Sequence, residues 1–276
     1  MLRLLSIEYQ KLKHNTATRF LILAYFVLIC FISLLASVKF PIGEGIRLAD
    51  MGIFNFPFIW HFNSYIVAIL KIFLAIVIVS LMSNEYSYRT LKQNLIDGLS
   101  KKEFVLSKFY MVLALTTIST LFLFVVSLVL GLIFSSYNEA AIIFSELDFL
   151  LAYFVKLIGF FAMCLFLGVL VKRSAFALGF LFVWYIVENI FLGIIAYNET
   201  KEIADAILQF FPLTAMSNLI EMPFMRLSLV KSSLETISGE SFTLDYRVSL
   251  LQLLIVIAWT AIFIGLTYKI LKKRDL

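Results

Sequence analysis

The chain has 276 residues, of which 62% are hydrophobic and only 15% charged, and its mean hydropathy is +0.99. An ordinary soluble domain is about 45–50% apolar and about 25% charged, so a soluble fold is excluded and lipid is the solvent that suits this surface. The net charge of +5 does not point to nucleic acid, because the basic residues stand at the ends of apolar runs rather than among exposed aromatics.

From the N-terminus, about residues 1–19 are patterned as a helix, with Leu2, Leu5, Tyr9 and Leu12 on one face and Arg3, Gln10, Lys11 and His14 on the other. That pattern predicts an interfacial helix lying in the cytoplasmic membrane surface. A first apolar span covers about residues 20–38. Ala36, Ser37 and Val38 make a poor cleavage site, so it reads as an uncleaved span rather than a signal peptide. A second span covers about residues 60–83, after Pro57.

The loop that follows carries Tyr88, Leu91, Leu95 and Leu99 on one helical stripe. Gly98 offers a stop, and Ser100 with Glu103 reads as a capping box that starts the next helix. The expectation is a short amphipathic helix whose apolar stripe needs a partner. The third, fourth and fifth spans cover about residues 109–134, 149–171 and 174–197. Beyond them, an apolar stretch is broken by Pro212 and Pro223 into pieces too short to cross, which predicts a re-entrant hairpin on the outer side. A polar, exposed loop is expected over about residues 225–246, and a sixth span over about residues 248–271.

Lysine and arginine placement sets the orientation. One set of loops and ends carries Arg3, Lys11, Lys13, Arg19, Arg89, Lys92, Lys101, Lys102, Lys108, Lys172, Arg173, Lys269, Lys272, Lys273 and Arg274. The other carries Lys39, Arg47, Lys201, Arg226, Lys231 and Arg247. Both termini are therefore expected to be cytoplasmic.

The chain holds no phosphate-cradling GxxxxGK[ST] loop and no HExxH, GxSxG or GxGxxG pattern. Cys30 and Cys164 lie in apolar runs, and His14 and His61 have no second ligand near them in sequence. No catalytic residue, bound cofactor or metal site is expected. Three ionisable residues do fall inside the spans: Lys71, Lys156 and Glu188. At about 1.5 Å per residue each lies roughly 20–24 Å from the cytoplasmic boundary, so Glu188 is expected to pair with Lys71 or, failing that, with Lys156.

Three sequence patches carry a family likeness. Glu85, Tyr86, Ser87, Tyr88, Arg89, Thr90 and Leu91 are followed by Leu95, Ile96, Asp97, Gly98, Leu99 and Ser100, and then by Lys108. The opening Ile7, Glu8, Tyr9, Gln10, Lys11 and Leu12 and the stretch Phe211, Pro212, Leu213, Thr214, Ala215 and Met216 accompany them. In order and spacing this resembles the ABC-2 type transporter permeases, the membrane subunits of ABC exporters. The resemblance implies an all-α membrane fold of six spans that lines a translocation path with a second permease copy. It implies that ATP and Mg are held by a separate cytoplasmic ATPase subunit. It also implies that Tyr88, Arg89, Thr90, Leu91, Lys92, Leu95 and Asp97 form a coupling helix for that ATPase, with Leu91 and Leu95 as the buried contact. Phe211, Pro212 and Pro223 then belong to the re-entrant hairpin. A stand-alone channel or secondary transporter, or a membrane anchor for a cytoplasmic protein, are the competing readings.

Overall fold

The computed structural model describes residues 2–35, 52–137, 139–226 and 246–274. The end of the first expected span, most of the expected polar loop, and Lys39, Arg47 and Lys231 lie outside those residues. Every regular element described is helical. In chain order they are α1 (Leu2–His14), α2 (Thr16–Leu35), α3 (Phe58–Ile69), α4 (Lys71–Ser87), α5 (Thr90–Ile96), α6 (Lys101–Phe134), α7 (Ala140–Ile143), α8 (Asp148–Val171), α9 (Ser174–Asn198), α10 (Lys201–Leu208), α11 (Pro212–Asn218) and α12 (Leu250–Lys273). A 3-10 turn, Pro223–Arg226, follows α11. Among the described residues five helices are long and apolar enough to cross a membrane, or six where α3 and α4 together make one bent span. This is the architecture of an all-α integral membrane protein.

Two breaks differ from the sequence reading. The N-terminal helix stops at His14, and Asn15 caps α2 by accepting a hydrogen bond at 3.1 Å from the Thr18 backbone N–H. Residues 16–19 therefore belong to the first apolar helix rather than to α1. The span drawn over about residues 60–83 is two helices that meet at Leu70 with a bend of 44°.

Packing is organised around α8. Eighteen of its 24 residues are buried, and α12, α4, α6, α9 and α3 all pack against it. Small residues let the neighbours approach. A Cβ built on Gly168 would stand 2.9 Å from the Cβ of Met82 in α4, and one on Gly159 would stand 2.7 Å from Val256 Cγ1 in α12. In contrast, α9 buries only Ala177 and Glu188.

Hydroxyl groups bind helices together where water is excluded. Tyr25 of α2 is hydrogen-bonded to Ser119 of α6 and Tyr153 of α8, and the last two meet at 2.9 Å. Asn63 of α3 donates to Ser127 of α6 at 2.9 Å. At one end of the bundle Arg274, just past α12, donates to the Val169 and Leu170 carbonyls at the end of α8, at 2.6 and 3.1 Å. Lys101 at the start of α6 donates to the carbonyls of Lys272 and Arg274, at 3.3 and 2.8 Å. Each is a cation set against the negative end of a helix.

Gly168→Val is expected to destabilise the protein by about 1–3 kcal/mol, since the added methyls must displace Met82. Gly179→Ala, with nothing within 4 Å of its built Cβ, should be neutral or mildly stabilising. Thermal unfolding of the purified variants in detergent separates the two outcomes.

Candidate functional site

At the end of the bundle where α4 stops and α6 starts, four charged side chains converge from three helices. Glu85 of α4 and Glu8 of α1 are both buried, as is Lys108 of α6, while Lys11 of α1 is partly open. The Lys108 ammonium bonds Glu8 Oε2 at 2.6 Å and also bonds Glu85 Oε1. Lys11 bonds Glu85 Oε1 at 2.6 Å and stands 3.5 Å from Glu8. Ser107 donates to Glu8 Oε1 at 3.4 Å. Two positive and two negative groups thus neutralise one another out of water, the condition under which buried charge is tolerated.

Glu85 extends the knot to α5. Its Oε2 accepts from Thr90 Oγ1 at 2.6 Å and from Asn94 Nδ2 at 3.4 Å. One carboxylate therefore joins α1, α4, α5 and α6.

Local sequence explains why α5 is short and fixed. Arg89 precedes it in the left-handed region, at φ 56°, and turns the chain out of α4. Gly98 ends it at φ 93°, with its N–H on the Leu95 carbonyl (3.2 Å) and the Leu99 N–H on Asn94 (3.0 Å), the Schellman pattern. The expected capping box follows at once: Ser100 Oγ accepts from the Glu103 N–H at 3.2 Å and Glu103 Oε2 accepts from the Ser100 N–H at 2.9 Å.

The apolar stripe of α5 points elsewhere than the sequence reading placed it. Leu91 is only 2% exposed and packs in a small core with Met82, Phe104, Val105, Val169 and Leu271. Leu91 is not available to a partner, because the end of the bundle itself covers it; Leu95 is half-buried and Leu99 leans on the same core, while Tyr88 of the expected stripe stays outside. What α5 and its flanking residues present outward is Tyr88, 75% exposed, and Ile96, 69% exposed, together with Arg89, Lys92 and Asp97. Gln93 donates to Asp97 at 2.9 Å across one turn.

Away from the knot, Lys71, Lys156 and Glu188 are arranged otherwise than expected. Glu188 does not pair with a lysine. Its carboxylate accepts from Trp184 Nε1 at 2.7 Å, from the Leu213 N–H at 3.1 Å, and from the Thr214 N–H at 3.1 Å and hydroxyl at 3.3 Å. Pro212 stands at the first position of α11 and Phe211 caps it in extended conformation. The unpaired N–H groups of that first turn are the natural counterpart of a carboxylate. This explains why Glu188 needs no cation. Lys71 lies instead over the Phe160 ring, 4.5 Å from its centroid. Lys156 donates to the Ser217 carbonyl of α11 at 3.4 Å.

Around Glu188, the aromatic side chains of Trp184, Phe191, Phe210, Phe211 and Trp259 line a cavity of about 650 Å³ between α9, α10, α11 and α12. Beyond α11, Pro223 opens the 3-10 turn that ends at Arg226. Arg226 grips Glu146 with two bonds of 2.9 Å and donates at 3.3 Å to His61 Nδ1, while His61 Nε2 bonds the Glu221 carbonyl at 2.9 Å. Among the described residues no three His, Cys, Asp or Glu side chains gather to hold a metal.

Glu85 and Lys108 stand in one sequence pattern and Glu8 and Lys11 in another, and neither pattern shows that the four meet. The available signal was one acid and one lysine in each of two separate patches.

Residues 4–188 match the family model described as ABC-2 family transporter protein. The matched stretch contains all four members of the charge knot and ends at Glu188, before α10, α11 and α12. No match was found among curated proteins.

Lys108→Ala leaves two buried carboxylates facing each other and is expected to cost about 3–5 kcal/mol of stability. Lys11→Ala, at a side chain 28% exposed, should cost about 1 kcal/mol or less. Unfolding of the detergent-purified variants measures both. The exchange Lys71→Glu with Glu188→Lys should be no more stable than Glu188→Lys alone; a rescue would restore the direct pairing.

Proposed function

The chain belongs to the ABC-2 family of transporter proteins, and from that premise we propose that it is the permease subunit of an ABC exporter, driven by a separate ATPase subunit. The ATPase carries the ATP and Mg, docks from the cytoplasm on α5, and works on two permease units that share one path across the cell membrane. Both termini are cytoplasmic, α1 lies in the membrane surface, and α10 and α11 form a re-entrant hairpin on the outer side. The basic residues concentrated at the α5 end support that orientation.

One observation carries the coupling role: Glu85 bonds α5, α1 and α6 from the end of α4. A helix held by two hydrogen bonds to Glu85, from Thr90 and Asn94, and by Leu91 in a local core cannot slide on its own. Closure of the ATPases displaces α5 as a rigid knob, and α4 and α6 go with it. The result is a shift between inward-open and outward-open populations, powered by whatever binding difference the ATPase makes between them. Tyr88 and Ile96 supply the apolar contact with the ATPase, and Arg89, Lys92 and Asp97 orient it. Leu91 and Thr90 act from inside, holding the knob in place. The second permease unit packs on α9, whose apolar face is otherwise left to lipid.

Tyr88→Asp with Ile96→Asp is expected to abolish co-purification with the ATPase while leaving the permease folded and monodisperse. Retention of the ATPase at the wild-type ratio would defeat the docking model. Leu91→Asp should instead lower the unfolding temperature, because it places a charge in a closed apolar core.

A further inference from the structure

A groove of about 1130 Å³ runs between α1, α2 and α6. Leu5 and Tyr9 of α1, Ile22 and Phe26 of α2, and Met111 and Ile118 of α6 form its wall, which is almost wholly apolar. Lys13, in the last turn of α1, and Arg19, in the first turn of α2, both line it and both are exposed. Each flanks the break at Asn15. The Arg19 guanidinium donates to Thr16 Oγ1, at 3.4 Å. Neither cation has a carboxylate partner among the described residues.

We propose that this groove binds one anionic phospholipid, with its phosphate between Lys13 and Arg19 and an acyl chain along Ile22, Phe26 and Ile118. The shape of the site dictates the ligand. The wall follows two membrane-crossing helices, so its occupant is as apolar and as long as an acyl chain. The two cations sit at the turn from the surface helix α1 into α2, the level at which headgroups lie. No carboxylate among the described residues neutralises them, and each basic residue near an anionic leaflet adds attraction to its lipids. A zwitterionic headgroup brings an ammonium to the same place and loses that advantage.

The site has a mechanical connection that an ordinary lipid-facing surface lacks. Lys13 shares α1 with Glu8 and Lys11, which face the charge knot from another side of the helix. A lipid that seats α1 against α2 and α6 therefore also holds the partners of Glu85 and Lys108 in position.

The test uses the purified chain reconstituted in nanodiscs of equal phosphatidylglycerol and phosphatidylcholine, extracted and weighed by native mass spectrometry. One phosphatidylglycerol is expected to remain bound in preference to phosphatidylcholine. Lys13→Gln with Arg19→Gln should reduce that preference by roughly 10-fold. Lys102→Gln with Arg173→Gln removes equal charge from exposed positions outside the groove and should leave it unchanged. Ala114→Trp, which fills the groove and keeps both cations, should release the lipid as well, and it decides the matter if the double variant fails to fold. Equal retention of the two lipids by the wild type, or equal loss from the groove variant and the Lys102/Arg173 control, would mean annular lipid only and overturn the proposal.

Discussion

The carboxylate of Glu85 is the point on which this end of the protein depends. A single unpaired anion in a low-dielectric setting is costly by several kcal/mol, so Glu85 is held where Lys108 above all, with Lys11, Thr90 and Asn94, reaches it. Those side chains come from α6, α1 and α5. Keeping that carboxylate partnered therefore works as a positional constraint on three helices at once. Hydrophobic packing in lipid cannot supply this constraint, because one apolar helix face fits lipid about as well as it fits another helix.

The same reasoning orders the rest of the bundle. With no hydrophobic drive between spans, contact is earned by close approach and by polar groups that lack water. Gly159 and Gly168 let α12 and α4 close on α8, and the Tyr25, Ser119 and Tyr153 hydroxyls join α2, α6 and α8 in the interior. On α9 the glycines Gly179 and Gly193 face open space, and its one buried charge is directed at α11. Hence α8 is the axis of the unit and α9 its free flank, though both are apolar helices of similar length.

Much of the fold was legible from hydropathy and capping chemistry. The turn after α5 was readable in full, because Gly98, Ser100 and Glu103 act through neighbours two to four residues away. The charge knot was not, since Lys108 and Glu8 are 100 positions apart and Lys11 and Glu85 are 74 apart; a helical wheel could only place Lys11 on a polar face. The inward direction of Leu91 is hidden for a related reason. An amphipathic pattern states that a face needs cover, and the cover here is Phe104, Val169 and Leu271 of the same chain. The backbone N–H groups that Glu188 bonds leave no trace in residue types. The break at Leu70 has no proline or glycine to announce it.

That break gives α4 the proportions of a lever. Glu85, with α5 attached, stands fifteen residues from Leu70, about 22 Å along the helix at 1.5 Å per residue. A rotation of about 10° about Leu70 would carry the Glu85 end through roughly 4 Å, while α3 on the far side of the bend stayed seated against α6 and α8. The bend at Leu70 thus separates the part of this helix pair tied to α5 from the part packed on α6 and α8.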